Sequence, residues 1–140
     1  MPESHSTVIP GHRYRDAMAA IEWLCTVFGF ERHAVYESEA GTVMHAELTL
    51  GGGMIMVGSE KNDEYQRGFK PPKELGNIET RSIYLVVENV DAVYARAIAA
   101  GGTITRPLQE TPYGSREFGV KDPEGHSWVV GTYNPWDKHE

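Results

Sequence analysis

The chain of 140 residues has a single cysteine, Cys25, so it can form neither an internal disulfide framework nor a multi-cysteine zinc or iron-sulfur centre. That scarcity fits a reducing compartment. Basic residues are also few: 13 Lys and Arg stand against 20 Asp and Glu, for a formal net charge of −7. Phosphate backbones and anionic lipid both require clustered Lys and Arg. Nucleic acid and membrane are therefore not expected partners, and the charge favours a cationic or neutral small molecule. No apolar run approaches the roughly 20 residues that span a bilayer. Residues 1–10, MPESHSTVIP, lack the basic start and apolar stretch of a signal peptide, and the expected location is the cytoplasm. What is present, 40% hydrophobic and 24% charged residues, supplies the core of one folded domain over residues 1–140.

Glycine is in excess, with 15 residues where about 7% of a chain is usual. Its spacing is informative. Shifting the chain by 73 residues places Gly29 on Gly102, Gly41 on Gly114, Gly52 on Gly125 and Gly58 on Gly131 without a gap. Repeated glycines at fixed offset mark repeated turns and helix ends. Two modules follow, about residues 8–60 and 81–133, joined by a polar linker of about 61–80 that contains Pro71-Pro72. The linker is expected to be a solvated connection, or else a lid.

Each module reads as strand, helix and three strands. In the first, Asp16 is placed to cap a helix whose Ala17, Ala20, Ile21, Leu24 and Phe28 share one face, with Gly29 ending it. Strands follow at 31–38, 42–50 and 54–59. The second module repeats the pattern through SIYLVVE, VDAVYARAIAA, TITRPLQ, SREFGV and HSWVVGTY, with turns at 112–114 and DPEG at 122–125. The fold class is α+β, two βαβββ modules in tandem.

The stretches YRDAMAAIEWLCTVFGFE at 14–31, VENVDAVYARAIAAGG at 87–102 and FGVKDPEGHSWVVGTY at 118–133 make the chain similar to the vicinal oxygen chelate superfamily. That superfamily includes glyoxalase I, bleomycin-resistance proteins, fosfomycin-resistance enzymes and extradiol dioxygenases. The resemblance implies sheets curled into half-open cups, commonly completed in a homodimer. It also implies metal ligands on the first and last strands of each module. Those positions fall on Ile9, Met56, Ser82 and Val129, which are not the imidazole, carboxylate or thiolate donors that a divalent cation needs. The chain thus looks like the metal-free, bleomycin-resistance-like branch, with no cofactor.

Strand alternation assigns side chains to faces. In TVMHAELTL, Met44, Ala46, Leu48 and Leu50 should pack on the helices, leaving His45, Glu47 and Thr49 in the cup. His45 and Glu47 could make a general-base pair, a metal half-site needing His12 or His126 as third ligand, or a plain hydrogen-bonded pair. Arg13 is in phase with Ile9, Tyr84 with Ser82, and Tyr133 with Val129, which gives Arg13, His45, Glu47, Met56, Tyr84 and Tyr133 as ligand-binding candidates. Arg116 and Phe118 also come out inward under the 73-residue shift. That leaves Glu117 and Lys121 facing the helices, so either a bulge intervenes or an edge is exposed, and the inward face of residues 115–121 stays open. Trp128 reads as core, Cys25 as a structural thiol, and Trp136 as either a cover for the cup mouth or part of a frayed end.

The expected function is metal-independent binding and sequestration of a small molecule. The alternative is a glyoxalase-like lyase or isomerase that uses His45 and Glu47 as catalytic groups with a displaced metal or none.

Overall fold

The computed structural model describes residues 4–60 and 69–137. The first half contains β1 (Gly11–Tyr14), α1 (Ala17–Phe28), β2 (Glu31–Glu37), β3 (Val43–Leu50) and β4 (Gly53–Ser59). After a 3₁₀ turn at Pro72–Leu75, the second half contains β5 (Ile83–Val86), α2 (Val90–Ala99), β6 (Thr103–Glu110), β7 (Arg116–Lys121) and β8 (Ser127–Gly131). Two open four-stranded sheets result, in the orders β1-β4-β3-β2 (sheet A) and β5-β8-β7-β6 (sheet B). The βαβββ repeat is thus present in both halves, each with its first and last strands paired in parallel.

Local chemistry sets the helices. The Asp16 side chain accepts a hydrogen bond from the Ala19 N–H at 3.1 Å, and Asn89 does the same for Ala92 at 3.2 Å. Gly29 closes α1 in the left-handed region at φ 88°. The α1 stripe Ala17, Ala20, Ile21, Leu24 and Phe28 is buried against sheet A, and Trp128 of sheet B packs on Phe28 with ring centroids 5.1 Å apart. The helices bridge the halves: Trp23 Nε1 donates to the Ala100 carbonyl at 3.2 Å and Arg96 Nε to that of Val27 at 3.0 Å.

The gap-free repeat needs correction. Gly41 and Gly114 are both left-handed, but the counterpart of Gly29 at the end of α2 is Gly101, at φ 77°, not Gly102. In the sheets, Glu47 pairs with Met56 where Gly119 pairs with Val129, so β4 and β8 keep the 73-residue offset while β3 and β7 are offset by 72. Bulges absorb the slip. Tyr36 pairs with His45 and Glu37 with Val43, leaving Met44 as the extra residue. Met44 is therefore 49% exposed rather than packed on α1, and Val43 takes the buried place.

The same slip reverses β7. Phe118 packs edge-on against Tyr94 of α2 and Arg116 pairs with Asp91 of α2, so both face the helix layer and Glu117 faces the other way.

The expected solvated linker is also revised for residues 69–81; residues 61–68 lie outside the described residues. The Lys73 N–H donates to the Glu124 carbonyl at 3.0 Å, and Lys121 Nζ to that of Asn77 at 2.5 Å. Glu79 and Arg81 enter the junction between the halves. There the imidazoles of His12 and His126 stack 4.2 Å apart and 2° from parallel. His126 Nδ1 lies 2.5 Å from Glu79 Oε2 and Nε2 3.1 Å from the Arg13 carbonyl. Both are acceptors, so both ring nitrogens donate and His126 is imidazolium. Burial alone would lower its pKa, but the Glu79 bond and the Asp122 charge outweigh burial and raise it. His12 is the reverse case. Its Nε2 faces the Arg81 guanidinium at 3.3 Å and its Nδ1 faces Tyr14 Oη at 3.3 Å. Tyr14 Oη in turn donates to Asp122 Oδ2 at 2.5 Å. Burial, the His126 charge and Arg81 together hold His12 neutral, with its pKa lowered to about 2.

Candidate functional site

The faces of the two sheets turned away from the helices carry the half-exposed polar groups. On sheet A, His45 and Glu47 stand on this face as alternation predicts, with His45 Nε2 2.9 Å from Glu47 Oε2. Both are partly exposed, at 39% and 28% of their side chains, so their contact is worth little to stability. Tyr36, paired with His45 across the strands, stacks on its ring with centroids 6.1 Å apart. Met56 is paired with Glu47 and exposed. Arg13 lies over Gly58, where an added Cβ would run into its guanidinium.

Sequence reasoning missed His33. Arg32 pairs with Leu48 and Ala34 with Glu47, so His33 is a bulged residue turned to the open face, its Nε2 3.9 Å from Glu47 Oε1. A β-bulge leaves almost no sequence signal. His12 and His126, the expected third ligands, are instead buried in the junction on the helix side. Among the described residues no group of three or more His, Cys, Asp or Glu side chains is placed to hold a metal ion. The positions that the resemblance implies for metal ligands offer little to a cation: Met56 has a thioether, Ser82 a hydroxyl, and Ile9 and Val129 no donor side chain.

On sheet B the centre of the open face is Glu117, the counterpart of His45 once the offset is corrected, and 2% exposed. Its Oε1 accepts from Tyr113 Oη at 2.8 Å and from Arg106 Nη2 at 3.2 Å. Tyr84 and Tyr133, the sequence candidates, adjoin it: Tyr84 Oη donates to the Tyr133 carbonyl at 2.7 Å, and the Tyr133 ring meets Tyr113 edge-on at 5.6 Å. Glu117, Arg106 and Tyr113 were not legible because the 73-residue register pointed Glu117 the wrong way. The glycine opposite, Gly131, was the available signal, since it leaves room for one carboxylate.

That room is testable. A Cβ at Gly131 would lie 2.6 Å from Glu117 Cγ and 2.7 Å from Tyr84 Oη. Gly131→Ala is expected to cost about 1–3 kcal/mol through displacement of both, read as a lower urea midpoint; an unchanged midpoint would show that the contact is not tight. Elsewhere Cys25 is half-buried, with burial raising its thiol pKa, and Trp136 is 92% exposed, covering nothing among the described residues. No helix among the described residues is long and apolar enough to cross a membrane.

The model of the Glyoxalase/Bleomycin resistance protein/Dioxygenase superfamily matches residues 11–130. The structure is similar to that of TioX from Micromonospora sp. ML1, with a TM-score of 0.72 and 32% identity over 92% of this chain and 99% of that one. It shares the fold of the fosfomycin resistance protein FosX from Mesorhizobium loti, with a TM-score of 0.64 and 15% identity over 93% of each. An uncharacterised protein of Mycobacterium tuberculosis, Rv0887c, is 30% identical over 116 residues, covering 83% of this chain and 68% of its own length.

Proposed function

The chain belongs to the glyoxalase/bleomycin resistance protein/dioxygenase superfamily, and from that premise we propose that it binds and sequesters a small molecule on its open sheet faces without a metal. The observation that carries this reading is the contrast on sheet A. The ligand positions implied for this half hold Ile9 and Met56, with Ser82 and Val129 at those of the other half, while sheet A offers the His45–Glu47 pair beside Tyr36 and Met56. Flat apolar surface with a few fixed polar groups is the composition of a ligand site, not of a Lewis-acid centre. Arg13, Tyr84 and Tyr133 complete the proposed contact set, and a second copy of the chain is proposed to complete the site as a homodimer.

The bond between His45 Nε2 and Glu47 Oε2 also suits proton transfer, which supports a second reading as a lyase or isomerase. Thermal-shift screening of the purified protein against antibiotics and glyoxal-derived adducts, before and after EDTA, separates the readings. Under the first, a compound raises the melting temperature, EDTA changes nothing, and His45→Ala or Glu47→Ala weakens binding about fivefold, as expected for a half-exposed polar contact. Under the second, the same substitutions lower turnover at least a hundredfold while binding persists. Near-stoichiometric zinc, nickel, manganese or iron in the purified protein would overturn metal independence.

A further inference from the structure

We propose that the open face of sheet B contains an oxyanion subsite whose anchor is Arg106, held from beneath by Glu117. The inference rests on the reading that the open faces hold a small molecule, and it names the chemistry of one end of that molecule: a carboxylate or another planar or tetrahedral oxyanion.

Four observations converge. The Arg106 side chain is 46% exposed while its partner Glu117 is 3% exposed, so anything approaching this face meets the guanidinium and not the carboxylate. Arg106 makes one hydrogen bond, from Nη2, and its remaining N–H donors have no partner among the described residues. A guanidinium fixed on one side by a buried carboxylate keeps its fork oriented, the arrangement in which arginine recognises oxyanions with two parallel bonds. The backbone is bent to this end: register shifts fall between Ile104 and Arg106 and again between Arg106 and Gln109, so β6 is bulged on both sides of this residue. Bulges commonly re-aim side chains beside binding sites. Directly across the ladder stands Gly119, where a Cβ would lie 2.5 Å from Thr105 Oγ1, so the missing side chain leaves room for the Thr105 hydroxyl next to Arg106.

Charge agrees. The net charge of −7 suggests cationic ligands, yet the groove that begins at the neighbouring Thr105 is bordered by Lys73 and Lys121. This groove of about 380 Å³ continues from Thr105 past Thr103 to Lys121, Lys73 and Asn77. The one carboxylate beside it, Asp122, is turned into the core and bonded to Tyr14 and Trp128. The exposed Tyr113, its hydroxyl tied to the same Glu117 oxygen, offers a ring edge on the other side of Arg106. An aromatic or conjugated acid fits this pairing of fork and ring.

The test is an NMR or calorimetric titration of the full chain with benzoate, phenylphosphonate and uncharged benzamide. Benzoate and phenylphosphonate are expected to bind saturably, and benzamide at least tenfold more weakly; the stronger of the two acids identifies the oxyanion. Arg106→Ala is expected to weaken benzoate at least tenfold. Arg106→Lys keeps the charge over Glu117, and so the fold, but loses the fork; it is expected to remain at least fivefold weaker than the native chain. Glu117→Gln, which frees the guanidinium, should fall in between, and Lys121→Ala should change affinity less than twofold. Benzoate binding that survives Arg106→Lys, or equal binding of benzamide, overturns the subsite. A compound that stabilises the protein through His45 and Glu47 alone would leave the broader binding reading intact while removing this one.

Discussion

Replacing Asp122 with alanine is expected to remove about 3–5 kcal/mol of stability, a large share of the 5–15 kcal/mol typical of a domain. Asp122 is 3% exposed and accepts four hydrogen bonds. Tyr14 Oη donates to Oδ2 at 2.5 Å and Trp128 Nε1 to the same atom at 3.1 Å, while the N–H groups of Glu124 and His126 reach Oδ1 at 3.1 Å. Tyr14 and Trp128 are themselves fully buried, so truncation strands a hydroxyl and an indole N–H away from water. It also removes a negative charge that, with Glu79, favours the His126 imidazolium. Burial raises the Asp122 pKa, an effect its hydrogen bonds only partly offset. The carboxylate is therefore retained for the bonds it accepts and not because its charge is welcome there. Urea unfolding should show the loss directly, with a melting temperature lower by about 10–20 °C. A loss under about 1 kcal/mol would mean that Tyr14 and Trp128 find other partners.

The second large effect is acid sensitivity that begins near neutrality. His12 has a folded pKa of about 2 against 6.5 unfolded. A depressed pKa contributes stability that is complete above the unfolded value and is lost as pH falls below it. Between pH 6.5 and 4.5 this single group should cost about 2–3 kcal/mol. Glu79 adds to the decline below its unfolded value of 4.5. Burial raises its pKa, but bonds from His126 and the Ser127 N–H lower it further than burial raises it. His126 acts at the other limb. With its folded pKa above 6.5, its contribution is complete below 6.5 and is lost as pH rises through the folded value. Stability should therefore peak near neutrality and fall on both sides. Urea unfolding from pH 4.5 to 8.5 on the native chain and on His12→Gln measures this. The variant should be weaker overall yet flatter between 6.5 and 4.5, and equal slopes would assign the acid limb to other groups.

Much of the fold was readable because its signals are local. Asp16 and Gly29 bracket α1, the Ala17 to Phe28 stripe faces the core, and the turn glycines Gly41 and Gly114 sit at matched places. Alternation placed His45 and Glu47 correctly because β3 is regular from Ala46 to Leu50. It failed at Met44 and Glu117, and passed over His33, for one reason. A bulge adds a residue to one strand without changing composition, and every side chain beyond it changes face. The junction was hidden differently. Glu79 and His126 lie 47 residues apart, and a long-range pair with one member in a polar linker has no periodicity to reveal it.

Every strand pair in this chain closes within one half, β1 to β4 or β5 to β8. Each half can therefore reach its own topology before the two dock, and what remains is the question of which half docks with which. The stacked imidazoles answer it by identity. At the 73-residue offset of the first and last strands, a second copy of the first half would present Gly53 where His126 stands, and a second copy of the second half Leu85 where His12 stands. Neither like pair can form an imidazole–imidazolium contact or satisfy Arg81 and Glu79. The polar junction is thus specific to the pairing of unlike copies of one module.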